Sequence, residues 1–267
     1  MGVLTDAQYG YRGKLGLIVV GPNPTPLPDI SRMVPPGVLV LETRIHMEPT
    51  IKLGVVEGLY RLLPDAAETI AEAGVDAIAF ACTSASLTGG FGWDKEEICQ
   101  MESRSGGIPC TTTSTAAAEA MAHLGMKKIV IVTPYGEDIN PLFRLFYNAS
   151  GFEVLEVRGL AIPTSYELAA YPPSKTYQFA RDTFIPEADG IFVACTTFRA
   201  IDVIDQLEQD CGVPVITANQ ATAWQLLRMI GCNEPVIGFG SLLRSKDRRM
   251  PDYSRVSGVK PGVKIGE

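Results

Sequence analysis

The chain has 267 residues, of which 46% are hydrophobic and 20% charged, and it carries a formal net charge of −7. That balance suits a globular protein with a sizeable core, and an acidic overall field attracts neither nucleic acid nor an anionic membrane surface. No signal peptide opens the chain, and no uncharged apolar run is long enough to span a bilayer, so a cytoplasmic location is expected.

Residues 1–13 are polar and expected to be poorly ordered. A strand is expected at 15–20 (LGLIVV), followed by a proline-rich loop at 21–26 that ends helix and central strand alike. Asn23 lies in that loop, as a turn former or as a donor to substrate. Residues 38–43 (VLVLET) read as a second strand. Residues 54–73 have helical spacing interrupted by Pro64, so that helix kinks or starts late.

Residues 75–84 read VDAIAFACTS: a short apolar run, the pattern of a strand buried on both faces, running into Cys82-Thr83-Ser84. The glycine-rich loop 89–94 lacks any phosphate-binding motif and reads as a connection or a cover. A helix is expected at 94–103. Residues 107–115 (GIPCTTTST) lead into an alanine-rich helix at 116–124, with Ser114 or Thr115 as its cap and Gly125 after its end. A strand at 128–132 then delivers Tyr135 to a strand end. Helix is expected at 138–150, strand at 152–159, a loop at 162–174 and helix at 175–184.

The opening pattern then returns: residues 188–197 read ADGIFVACTT, in register with 75–84 through Asp, Ile, Ala-Cys and Thr. After it come a helix at 201–211, Gly212-Val213-Pro214, a second helix, and an expected strand at 236–239. A basic, polar tail follows from 244. Two copies of one unit imply two similar α/β lobes related by a pseudo-twofold, with Cys82 and Cys195 facing each other across a cleft. The expected lobes are 14–112, with 220–245 returning to it, and 113–219. Residues 246–267 form the tail.

The six cysteines form no C-x-x-C pair and only two histidines are present, so no metal site is expected. Cys99, Cys110, Cys211 and Cys232 read as small buried hydrophobes. Cys82 and Cys195, repeated at strand ends and each followed by threonine, read as reactive thiols. Two thiols flanking one small acid suit racemisation, decarboxylation or addition–elimination at a C=C bond. Each route needs a thiolate, and neither motif holds a Lys or His. The stabilising donors are expected from backbone N–H groups and from the hydroxyls of Thr83, Ser84, Thr196 and Thr197. Arg199 reads as a solvated charge outside the site. A solute-binding protein on the same scaffold is the non-enzymatic alternative.

The paired Cys-Thr motifs, the opening from Leu15 to Asn23, GIPCTTTST and IVTPYGEDIN together resemble the aspartate/glutamate racemase superfamily, nearest its maleate cis-trans isomerases and arylmalonate decarboxylases. The resemblance spans about residues 15–240. It implies two Rossmann-like lobes, each with a parallel sheet, catalysis by Cys82 and Cys195, and no cofactor or metal. It further implies a small carboxylate held by Asn23 and Tyr135 with the Thr and Ser hydroxyls. The decarboxylases carry glycine in place of Cys82, so two cysteines favour an isomerase. Thr83-Ser84 after Cys82 follows the decarboxylases, and Thr164-Ser165 stand where the isomerases carry a second Asn. No nucleic-acid or membrane partner is expected, and a twofold homodimer is the expected assembly.

Overall fold

The computed structural model describes residues 8–245. The tail expected at 246–267 and residues 1–7 lie outside the described residues. Residues 9–12 form a turn tied down by Arg12, which donates to Pro36 O and pairs with Glu234, rather than a loose leader.

The first half runs β1 (Gly13–Val20), α1 (Pro26–Met33), β2 (Val38–Ile45), α2 (Leu53–Val56), α3 (Leu63–Ala71), β3 (Ala77–Phe80), α4 (Trp93–Arg104), β4 (Cys110–Thr112) and α5 (Thr113–His123). The second half runs β5 (Lys128–Thr133), α6 (Asn140–Ala149), β6 (Glu153–Gly159), α7 (Ser165–Ala170), α8 (Pro173–Thr183), β7 (Gly190–Val193), α9 (Ile204–Cys211), β8 (Val215–Thr217), α10 (Ala218–Met229) and α11 (Gly240–Arg244). All sheet pairings are parallel. The strand order is β2-β1-β3-β4 in one sheet and β6-β5-β7-β8 in the other, the same order twice. The fold is therefore α/β with two matching sheets, as the internal repeat implies.

Each strand alternates its side chains between faces. Leu15, Leu17 and Val19 of β1 join the large core that also contains the second sheet, whereas Ile18 and Val20 face a smaller core with Leu63, Ala67 and Ile70 of α3. Both faces are covered, which is why β3, β5 and β7 read as continuous apolar runs.

Several expected elements come out differently. The segment 54–73 is not one helix: Pro64 sits in the first turn of α3, where its missing N–H costs nothing, and a 3-10 turn (Leu59–Leu62) precedes it. The proline-rich run ends in a helix, because Pro26 opens α1. Residues 162–174 contain α7, capped by the Thr164 hydroxyl accepting from Glu167 N–H. The cap of α5 is Thr112, not Ser114 or Thr115. Residues 236–239 form no strand; among the described residues they pair with neither sheet, and Val236 N–H instead donates to Leu243 O. Cys99 is exposed rather than buried, and Cys211 is half-buried, packed against the edge of the core.

Candidate active site

In a parallel sheet, ligands bind beyond the carboxyl ends of the strands, where neighbouring connections diverge. In both sheets that point lies between the two central strands, β1/β3 and β5/β7. The four turns leaving these strands carry Asn23, Cys82-Thr83-Ser84, Tyr135 and Cys195-Thr196-Thr197. They converge on one cavity of about 30 Å³, lined by Asn23, Cys82, Ser84, Tyr135, Cys195, Thr196 and Thr197. Seven of the eight residues expected from the sequence thus meet in one place.

Thr83 is the exception. Its side chain is fully buried behind the turn, its hydroxyl has no hydrogen-bond partner, and it does not line the cavity. Thr196 lines the cavity, but its hydroxyl is already satisfied: it donates to Ala81 O at 3.0 Å and accepts from Asn23 Nδ2 at 2.9 Å. Asn23 is a turn former that also lines the cavity. Its Oδ1 accepts from Thr25 N–H as in an Asx turn, and its amide bridges the two sheets' strand ends.

The far wall of the cavity is apolar: Val20, Met47, Ile51, Val56 and Leu168. Its roof joins the two halves. Thr50 and Thr164 form an antiparallel bridge, Ile51 N–H donates to Pro163 O, Ser165 N–H to Pro49 O, and Leu53 N–H to the Asp138 carboxylate. The glycine-rich loop is a connection, not the cover. Gly89 packs so closely on Trp93 that no Cβ fits there, and Phe91 stacks edge-on against Phe146. Sequence periodicity could not find the roof, because its halves lie 85 or more residues apart.

The lining contains no Lys, Arg or His. Burial pushes the Cys82 thiol up to about 12, against the backbone N–H of Ala85 and the Ser84 hydroxyl. Burial also raises Cys195, opposed by a fuller set of donors: the Tyr135 hydroxyl, the N–H groups of Thr197 and Phe198, and the Thr197 hydroxyl. Tyr135 itself is driven well above its ordinary value by burial and then by the two thiols, so it stays a donor. Cys195 also has φ of 98°, the left-handed region that a side chain rarely occupies. Among the described residues no cluster of His, Cys, Asp or Glu could hold a metal ion, and no helix is long and apolar enough to cross a membrane.

A model of the arylmalonate decarboxylase family matches residues 39–243. The chain is similar to a maleate isomerase of Geobacillus stearothermophilus, 25% identical over 182 residues that cover 66% of this chain and 72% of that protein. It is also similar to the arylmalonate decarboxylase of Bordetella bronchiseptica, 25% identical over 221 residues, 76% of this chain and 91% of that one. In fold it matches the maleate cis-trans isomerase of Nocardia farcinica, solved as a cysteine-to-serine mutant with a covalently bound succinylcysteine intermediate. The TM-score is 0.80 at 23% identity, covering 87% of this chain and 98% of that chain.

Proposed function

Since the chain belongs to the arylmalonate decarboxylase family, we propose that it is a two-cysteine isomerase, working without a cofactor, that converts a small cis-unsaturated dicarboxylate of the maleate type to its trans isomer. The observation that carries this reading is the pair of thiols, Cys82 and Cys195, lining one cavity without a basic side chain. The relatives named maleate isomerase support the same reaction.

The pair works with one proton fewer than two thiols. Cys195, with more donors around its sulfur, holds the thiolate. As Cys82 Sγ bonds to one alkene carbon, its proton passes to Cys195 Sγ. The π electrons move to the other carbon and its carboxylate as an enediolate, held by Tyr135, Asn23 and backbone N–H groups. Cys195 returns that proton to the carbanionic carbon, giving a saturated adduct on Cys82, and the former double bond rotates as a single bond. Cys195 then removes the proton, the C=C bond reforms in the trans geometry, the C–S bond breaks, and the Cys82 thiolate recovers its proton from Cys195. The succinylcysteine of the Nocardia farcinica enzyme is an adduct of this kind.

The deciding experiment is incubation with maleate and detection of fumarate. No conversion at high enzyme concentration overturns the maleate assignment. The apolar wall and Thr83-Ser84 favour a second reading, decarboxylation of a malonate bearing an apolar group, scored by CO₂ release. A racemase would instead introduce solvent deuterium at Cα. The working assembly is a homodimer, and sedimentation showing only a 28.8 kDa species overturns that part.

A further inference from the structure

The turn carrying Cys195 is held from outside the cavity by a side chain that does not line it. Asn219 stands at the second position of α10, whose start is set by a capping box between Thr217 and Gln220. Its Nδ2 donates to Thr196 O at 2.9 Å and to the Asp29 carboxylate at 2.9 Å. Both partners are acceptors, so the amide has one possible orientation. Its Oδ1 is buried without a partner. Asp29 belongs to α1 and is itself buried, so the contact joins the two halves of the molecule.

A planar trans peptide points its C=O and N–H in opposite directions. Drawing Thr196 O outward onto Asn219 therefore turns the N–H of Thr197 inward, and that N–H is one of the donors that favour the Cys195 thiolate. The other half of the repeat has the matching contact. Thr112 and Thr217 cap α5 and α10, so Ser114 occupies the place of Asn219. The Ser114 hydroxyl donates to Thr83 O at 3.1 Å, the carbonyl of the residue following Cys82. Ser86 supports it, donating to the same carbonyl at 3.0 Å. The two clamps differ in two respects: only the Asn219 clamp is anchored on a carboxylate, and only Cys195 is held at positive φ.

From this matched pair of contacts we infer that Asn219, anchored by Asp29, is a positioning residue for Cys195: it holds the strained turn so that the Thr197 N–H faces the thiol sulfur, as Ser114 holds the turn after Cys82. The titratable groups facing Cys195 are Tyr135, from the turn after β5, and Cys82, from the turn after β3. Neither touches Asn219, so a change at Asn219 reaches the thiol only through the peptide.

The test is the pH profile of iodoacetamide alkylation at Cys195, read by peptide mass mapping in a Cys82→Ser background. It needs no substrate, so it stands apart from the isomerase reading, on which only the kinetic arm rests. Asn219→Ala and the volume-keeping Asn219→Leu are both made, so that one folded variant suffices. Either should move the Cys195 midpoint up by about one pH unit. In the two-cysteine enzyme either should lower kcat about tenfold or more with little change in KM. Asn219→Ser, whose hydroxyl can copy Ser114, should lie nearer the parent than Asn219→Leu does. A folded variant with the parent's alkylation midpoint, or a Ser variant no better than Leu, overturns the inference. A lower melting temperature alone would mark a merely structural contact.

Discussion

Cys195 and Cys82 occupy equivalent places in the repeat but different surroundings, and the difference should be measurable one residue at a time. Cys82 is pushed up to about 12, with two opposing donors among the main causes, while Cys195 has the Tyr135 hydroxyl and two backbone N–H groups. In the free protein, alkylation should therefore reach Cys195 at a lower pH than Cys82. The opposite order in a labelling series would reverse the assigned roles. Tyr135→Phe removes one of the donors to Cys195 and should raise its labelling midpoint, with kcat falling roughly ten- to a hundredfold; unaltered turnover would count against Tyr135 as a thiolate donor. Cys82→Ser and Cys195→Ser should each abolish isomerisation, since neither thiol completes the proton cycle alone. Mass spectrometry should find a substrate adduct on Cys82 in Cys195→Ser and none in Cys82→Ser. Cys82→Gly leaves the second thiol with Thr83-Ser84 in the decarboxylase pattern, and CO₂ release from a malonate is its readout.

Among the elements, α4 carries the heaviest electrostatic load. Asp94 and Glu97 in its first turns are both buried, and neither Glu97 oxygen makes a hydrogen bond. Burial, followed by the nearby Asp94 charge, pushes the Glu97 carboxyl up to about 8. A raised carboxyl pKa means that the folded state holds a proton the unfolded chain has released. The stabilising proton is therefore fully present below about 4.5, and stability falls as pH rises towards 8, by at most about 1.4 kcal/mol per pH unit. Glu97→Gln should flatten that fall, measured as urea midpoints at pH 5 and pH 8.5. An unchanged difference between the two would mean that Glu97 is not buried in the uncharged form. Strand β6 makes a separate demand. A Cβ on Gly159 would lie 2.1 Å from Tyr135 O, a backbone atom that cannot rotate aside. Gly159→Ala should displace the Tyr135 turn and lower both stability and kcat.

For the whole molecule, the consequence of two joined halves is a site spanned by contacts between them. The bridge at Thr50 and Thr164 lies beside the cavity, and substrate entry is expected along this edge. The exposed contact from Leu53 N–H to Asp138 closes the same edge. Asp138→Ala should speed alkylation of the buried thiols several-fold at fixed pH while leaving the melting temperature nearly unchanged. Equal labelling rates would mean that entry does not pass that edge.

What the sequence determined by itself was whatever is written in neighbouring residues. Apolar runs of four to six residues marked β3, β5 and β7. The Ala-Cys-Thr repeat marked two equivalent strand ends, and with them two matching sheets and a shared cavity holding Cys82 and Cys195. Where local chemistry was ambiguous, tertiary contact decided. Prolines 22–26 read as a barrier to helix, yet Pro26 opens α1, because a helix start has no use for the missing N–H. Strands β4 and β8 have three residues each, too short to show a period, and exist through pairing with β3 and β7. Residues 236–239 had the pattern of a strand and no sheet to join. The apolar wall, the roof and the Asn219 clamp depend on residues far apart in the chain, such as Asp29 and Asn219. Their meeting follows from how the two halves pack through α10 against α5 and α1, and no local pattern encodes a contact between such distant residues.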